Sequence, residues 1–190
     1  MDKQITFLTD FFGVIVDEVS PQFFNKHCKE NPAKTQNFYF SRIDLGEISH
    51  DEGLHEIARD FNLTYEEVRD EFESYIKLKQ STINLLSRIK ERANIVVCSN
   101  AGEHLVEDII GRFNIGYLFD KVFVSYQYHM AKPDKNFFLL AKSSYPKVNK
   151  CFMLDDHESN LKNLDEIGIT PITYVNKEKL EEDLTNLKLL

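Results

Sequence analysis

A chain of 190 residues can fill one good core, or one core carrying an insertion, and 42 % hydrophobic residues is too many for a disordered segment. Lys+Arg 23 against Asp+Glu 31 leaves a formal charge of −8 with no basic block, which excludes wrapping a nucleic-acid backbone. Net acidity does not exclude a small phosphorylated ligand, because such a ligand needs only local cations. No apolar stretch reaches the length of a membrane span, and "MDKQITF" lacks a signal-peptide layout, so no membrane is expected as a partner. Cys28, Cys98 and Cys151 are odd in number and far apart, as expected of reduced thiols in a cytoplasmic protein. No sequence feature names a protein partner.

In chain order, the first predicted strand covers residues 5–9 and ends at Asp10, in "FLTDFFGVIVD". From 17 to 81 no strand is predicted. "SHDE", from Ser49 to Glu52, and "TYEE", from Thr64 to Glu67, are capping-box signatures that start helices. Leu54, Ile57, Ala58 and Phe61 form one apolar stripe, and Tyr65, Val68, Phe72 and Tyr75 form another. Phe38, Tyr39, Phe40 and Arg42 in "NFYFSRIDLGE" read as aromatic packing between helices beside a solvated arginine. The predicted organisation is a core of residues 1–16 and 82–190, with a helical insert at 17–81.

A second strand, 95–98 in "IVVCSN", delivers Ser99 and Asn100, and Leu105, Ile109, Ile110 and Phe113 follow at helical spacing. A third strand at 122–124 precedes Lys132 in "AKPD", where Pro133 suits the first position of a helix running through Phe137, Leu140 and Ala141. A fourth, 151–154, ends at Asp155 and Asp156 in "CFMLDDHESN", and a fifth is placed at 172–175. The tail "KEKLEEDLTNLKLL" is an amphipathic helix with a solvated charged face. The strand runs are rich in Val, Ile and Phe without clean alternation, as strands covered on both faces are. Strands and helices in turn predict parallel βαβ units in an open, doubly wound α/β sheet.

Asp10, Ser99-Asn100, Lys132 and Asp155-Asp156 therefore all fall just beyond the carboxyl ends of strands, where open α/β sheets bind ligands. Taken singly, each is an ordinary turn or cap residue. Their shared location carries the argument. Three carboxylates brought together repel one another, and a hard cation such as Mg²⁺ relieves that repulsion with oxygen ligands. Ser99 offers a hydroxyl, followed by peptide N–H groups expected to open a helix, and Lys132 offers a point charge for phosphate oxygens.

The four motifs in this order resemble the haloacid dehalogenase superfamily over nearly the whole chain: "TDFFGVIVD", Ser99 in "VVCSN", Lys132 in the "KPD" string, and "LDDHESN" with Asp155, Asp156 and Asn160. The resemblance implies a doubly wound parallel sheet of about five strands, with an all-helical cap inserted after the first. It implies Asp10 as the nucleophile forming an aspartyl-phosphate. Mg²⁺ would be held by Asp10, the backbone carbonyl of Phe12, Asp156 and Asp155. Ser99, the amide of Asn100 and Lys132 would hold the phosphoryl oxygens of a small phosphorylated substrate.

Phe12 departs from the pattern. Most phosphatases of this superfamily carry there an aspartate that protonates the leaving group and then activates water, a role worth roughly 10²–10⁴-fold. Its absence predicts weak turnover of poor leaving groups. A sugar-phosphate phosphatase subgroup also lacks that acid and resembles this chain in cap length. The alternatives are a dehalogenase, which carries an aromatic here but lacks the acidic pair, and a weakly active or non-catalytic member that binds phosphate or protein. His157 and His104 lie nearest the predicted site and read as helix-start residues; His129 stands where relatives often have glycine. Receiver domains combine similar residues, but in them the acidic pair follows strand one and the lysine comes last. The order here excludes that fold.

Overall fold

Phe7 and Leu8, adjacent in sequence and fully buried, enter two different apolar clusters on opposite sides of the first strand. Phe7 meets Ile95, Val97, Phe152 and Leu154, while Leu8 meets Val96, Cys98, Met153 and Phe137. With both faces covered there is no wet side to demand alternating polar residues, which is why the strands read as continuous apolar runs. The computed structural model of the chain describes residues 3–190. Its strands are β1 (Ile5–Thr9), β2 (Ala93–Ser99), β3 (Lys121–Val124), β4 (Lys150–Asp155) and β5 (Thr170–Thr173). Among the described residues they form one 5-stranded parallel sheet in the order β3-β2-β1-β4-β5. Thr9 is level with Val97 on one side and Leu154 on the other. Asp10, Ser99 and Asp155 thus emerge side by side at one edge.

Four helices are inserted between β1 and the sheet's next elements: α1 (Ser20–His27), α2 (Pro32–Asp44), α3 (His50–Phe61) and α4 (Tyr65–Tyr75). They bury a cluster of their own, including Phe23, Phe24, Ile43, Leu54, Ile57 and Val68. Phe23 and Phe72 stack at 4.8 Å. α3 and α4 both open with the predicted capping boxes: the Ser49 and Thr64 hydroxyls accept from the Glu52 and Glu67 N–H groups, and those glutamates accept in return. After them come α5 (Gln80–Ile89), α6 (Leu105–Arg112), α7 (Lys135–Ser143), the single turn α8 (Glu158–Leu161) and α9 (Lys177–Asn186). Phe12 packs against both the sheet cluster and the cluster of the inserted helices.

Three local expectations are corrected. The fifth strand is Thr170–Thr173 rather than 172–175: Val175 is 65 % exposed, and after Tyr174 bonds Asp155 the chain turns away. No helix opens at Ser99, since α6 starts only at Leu105, after a loop anchored by Ser125. Pro133 is not a helix start either; Asp134 caps α7 by accepting from the Asn136 N–H at 2.8 Å. The three cysteines are free, and burial pushes the Cys98 thiol up to about 12 and Cys151 up to about 11, so both are inert packing groups. Among the described residues, no helix is long and apolar enough to cross a membrane.

Candidate active site

Asp10 leaves β1 still held to the sheet, its N–H donating to the Leu154 carbonyl at 2.8 Å. One carboxylate oxygen accepts from the Phe11 N–H at 2.7 Å, and the other lies 2.7 Å from Lys132 Nζ. The same ammonium sits 2.6 Å from Asp155 Oδ2. Asp155 is completed by the His157 N–H at 2.8 Å and by Asn160 Nδ2, at 3.1 and 3.2 Å from its two oxygens. All three charged groups are buried. A single lysine therefore bridges two desolvated carboxylates, an arrangement stable only while every partner remains.

Burial pushes the Asp10 carboxyl well above the usual range, against the pull of Lys132 and with added repulsion from Asp155 and Asp156. Burial by itself draws the Lys132 ammonium down, but Asp10 and Asp155 outweigh it and the net direction is up. Lys132 is a permanent cation here. One such cation does not neutralise the neighbourhood, because Asp10, Asp155 and Asp156 each bring a carboxylate oxygen to within 4.8 Å of the others. Gly13, at φ +75°, makes that convergence possible: a Cβ there would collide with the Asp156 carboxylate. An all-oxygen, net-negative donor set suits a hard divalent cation such as Mg²⁺. Glu18 and His157 also gather at Asp156, where the imidazole nitrogen makes the set a mixed one and the hydrogen bond to Asp156 pushes His157 up to about 9.

Ser99 is fully buried at the end of β2, and its hydroxyl has no hydrogen-bond partner. An orphaned buried hydroxyl costs about 1–3 kcal/mol, which an oxyanion partner would offset. Asn100 brackets Lys132, donating from Nδ2 to its carbonyl at 2.9 Å and accepting its N–H at 2.7 Å. The Ala101 N–H donates to Ser125 Oγ, whose hydroxyl donates back to the Ala101 carbonyl. Asn100 and Lys132 meet through this loop rather than at a helix terminus, while Ser99, directly before Asn100, is buried beneath the residues that line the cavity.

A cavity of about 750 Å³ opens over these residues, walled by Asp10, Phe12, Asn100 and Lys132 below and by the inserted helices above. Phe12 turns its ring edge-on to Phe11 at 5.5 Å, so an apolar group fills the wall beside Asp10. Besides Asp51, Glu73, Glu103 and Asp108, two carboxyls outside the four motifs line the same cavity, Glu18 and Asp44. Burial raises both, Asp44 to about 7. Their sequence signals are faint, an acid eight residues after Asp10 and one just before the glycine of "RIDLGE". His50 also lines the wall, and burial lowers its pKa.

Of the remaining singled-out residues, Phe40 and His104 line the cavity outside the acidic cluster, while Phe38, Tyr39, Arg42 and His129 do not line it. Arg42 is held by Glu56 at 2.7 and 3.3 Å, and Phe38 is exposed. His104 stands exposed at the start of α6 on the cavity rim. His129 does take φ 52°, and its Nδ1 meets the Leu45 carbonyl at 2.7 Å, away from Lys132.

The family of haloacid dehalogenase-like hydrolases matches residues 6–166. The drimenol cyclase DrtB of Aspergillus calidoustus is 25 % identical over 156 residues, 78 % of this chain but 30 % of that protein, so the chain spans under a third of this curated relative. The magnesium complex of the HAD family enzyme bt-2542 from Bacteroides thetaiotaomicron superposes with a TM-score of 0.73 at 22 % identity, covering 90 % of this chain and 94 % of that one. The L-2-haloacid dehalogenase of Xanthobacter autotrophicus, with chloropropionic acid covalently bound, gives 0.64 at 11 % identity over 100 % of this chain and 85 % of that one. These likenesses establish a shared fold.

Proposed function

The chain belongs to the haloacid dehalogenase-like hydrolase family, and on that premise we propose that it is a Mg²⁺-dependent phosphatase acting on a small phosphorylated metabolite, such as a sugar phosphate. The observation that carries this reading is the Lys132 ammonium seated between Asp10 and Asp155, inside a cluster of three carboxylates at the carboxyl edge of the sheet. A site for a neutral or singly charged electrophile has no need of that much opposed charge. A phosphoryl group beside a divalent cation does.

In this reading Asp10 attacks phosphorus, the bond to the leaving oxygen breaks, and an aspartyl-phosphate forms. Lys132, the Ser99 hydroxyl and the Asn100 N–H hold the phosphoryl oxygens as their charge grows, and Asn100 keeps the lysine in place. Mg²⁺, held by Asp10, Asp156, the Phe12 carbonyl and Asp155, would neutralise the opposed carboxylate and phosphoryl charges. Residues 17–81 serve as the cap over residues 1–16 and 82–190, excluding water and reading the leaving group. A cavity of about 750 Å³ is within the usual range for a small-molecule site.

The aromatic at Phe12 favours a second reading, a dehalogenase, since halide departs without a proton. The test is a panel of phosphate esters with and without Mg²⁺, run beside Asp10→Asn and beside chloride release from 2-haloacids. Metal-dependent phosphate release lost in Asp10→Asn supports the phosphatase. Metal-independent chloride release replaces it with the dehalogenase. Binding without turnover leaves a phosphate-binding member.

A further inference from the structure

We propose that Asp44, the last residue of α2, performs the proton transfers that Phe12 cannot, as general acid toward the leaving oxygen and general base toward the hydrolytic water. The inference rests on the phosphatase reading and adds to it a catalytic group supplied from the inserted helices.

The geometry selects Asp44 by elimination within one cavity. Phe12, Asp10, Lys132 and Asp44 share its wall. Among the other titratable groups there, His157 is bonded to Asp156 at 3.1 Å, and Glu18 stands within 4.8 Å of Asp156, on the side where a cation would sit. His104, Glu103, Asp51 and Asp108 are exposed, Asp51 also accepting from the Tyr65 hydroxyl, and Glu73 is paired with Arg112. His50 lies in α3, where burial lowers its pKa and so disfavours the protonated form an acid catalyst requires. Among the described residues the Asp44 side chain enters no ion pair or hydrogen bond, its interactions being those of burial and of charges at a distance.

Its surroundings suit a proton shuttle. A carboxylate at the C-terminal end of a helix faces the negative end of the helix dipole, which favours its neutral form. Burial acts in the same direction, Lys132 opposes it and Glu18 adds to it, leaving the Asp44 carboxyl at about 7. The charged groups that bear on this carboxyl are Lys132 and Glu18 across the cavity; His50 of α3 shares the wall, and Tyr126 and His129 border Gly46 and Leu45 just beyond Asp44. A carboxyl balanced between its two forms near neutrality can both give and take a proton.

The steps balance. Asp10 forms its bond to phosphorus as the P–O ester bond breaks, and the Asp44 carboxyl gives its proton to the departing alkoxide, releasing an alcohol. Water then attacks the same phosphorus and passes a proton to the Asp44 carboxylate. The bond to Asp10 breaks, inorganic phosphate leaves, and both carboxyls return to their starting forms.

The experiment compares wild type, Asp10→Asn, Asp44→Asn and Asp44→Glu with Mg²⁺, using an alkyl phosphate and nitrophenyl phosphate, with protein mass read after acid quench and thermal melts as the control for folding. Asp44→Asn is expected to lose at least 10²-fold on the alkyl ester and far less in the first step on the aryl ester. It should accumulate phosphorylated Asp10 during aryl turnover, and Asp44→Glu should recover part of the alkyl rate. A cooperatively melting Asp44→Asn with the wild-type alkyl-to-aryl ratio and no trapped phospho-enzyme overturns the proposal. Wild-type protein no more active than Asp10→Asn overturns the phosphatase reading, and this inference with it.

Discussion

The side chain of Asn100 grips the backbone of Lys132 from both ends, its Nδ2 donating to the lysine carbonyl at 2.9 Å and its Oδ1 accepting the lysine N–H at 2.7 Å. Nothing else in a carboxamide could satisfy both, since one end must donate and the other accept. The clamp fixes where the Lys132 chain starts, so that Nζ arrives between Asp10 and Asp155. Asn100→Ala removes two net hydrogen bonds, an expected loss of about 1–3 kcal/mol. On the proposed phosphatase reading, phosphate release should fall more than tenfold in kcat, because the ammonium loses its fixed origin. A urea melt and steady-state kinetics check this; full activity would show that Lys132 is positioned by its carboxylates alone.

Gly13 supplies the second test. Its φ of +75° and the collision that any Cβ would make with the Asp156 carboxylate give the glycine two independent reasons to be there. Gly13→Ala carries about 1–2 kcal/mol of backbone strain and displaces Asp156. In substrate-free protein, the rise in melting temperature with added Mg²⁺ should need at least tenfold more metal than in wild type. An unchanged Mg²⁺ titration would remove Asp156 from the cation site.

The parts of this molecule legible in its sequence are those set by neighbours along the chain. β1 and β4 could be found from apolar runs, and both capping boxes from residues three apart, because strand burial and helix capping leave local patterns. The four motif groups could be placed together because parallel strands all deliver their last residues to one edge. What failed depended on remote contacts. The loop after Asn100 stays unwound because Ser125 bonds both edges of Ala101. Val175 is apolar yet finds no partner strand. Asp44 and Glu18 reach the cavity only because the inserted helices fold back over the strand ends, which no spacing along the chain encodes.

Phe12→Asp places a carboxyl where the ring now joins two apolar clusters. The substitution should cost stability, about 1–3 kcal/mol, through lost packing and a desolvated carboxyl. It should nonetheless raise turnover of alkyl phosphates more than of aryl phosphates, since only the former await a proton at the leaving oxygen. The gain should be larger in the Asp44→Asn background, where the new acid has no competitor. Equal gain on both ester classes, or none, would mean that proton transfer does not limit this enzyme.

The Asp44 carboxyl also predicts a stability effect separable from catalysis. Burial raises it from an ordinary 3.8 to about 7, so between these values the folded protein keeps a proton that the unfolded chain has released. The stabilisation is complete below about pH 4 and is lost as pH rises through 7, where the folded carboxyl must ionise. A shift of that size corresponds to roughly 4 kcal/mol, which cavity water facing the half-buried side chain should reduce to on the order of 1–2 kcal/mol. Asparagine has no proton to lose. Asp44→Asn should therefore differ from wild type by a constant amount below pH 4 and gain on it progressively up to pH 8, as urea melts across that range would show. Parallel stability curves for the two proteins would mean that the Asp44 carboxyl is well hydrated and ionised in the folded state, and the proton-transfer group would have to be sought elsewhere in the cavity wall.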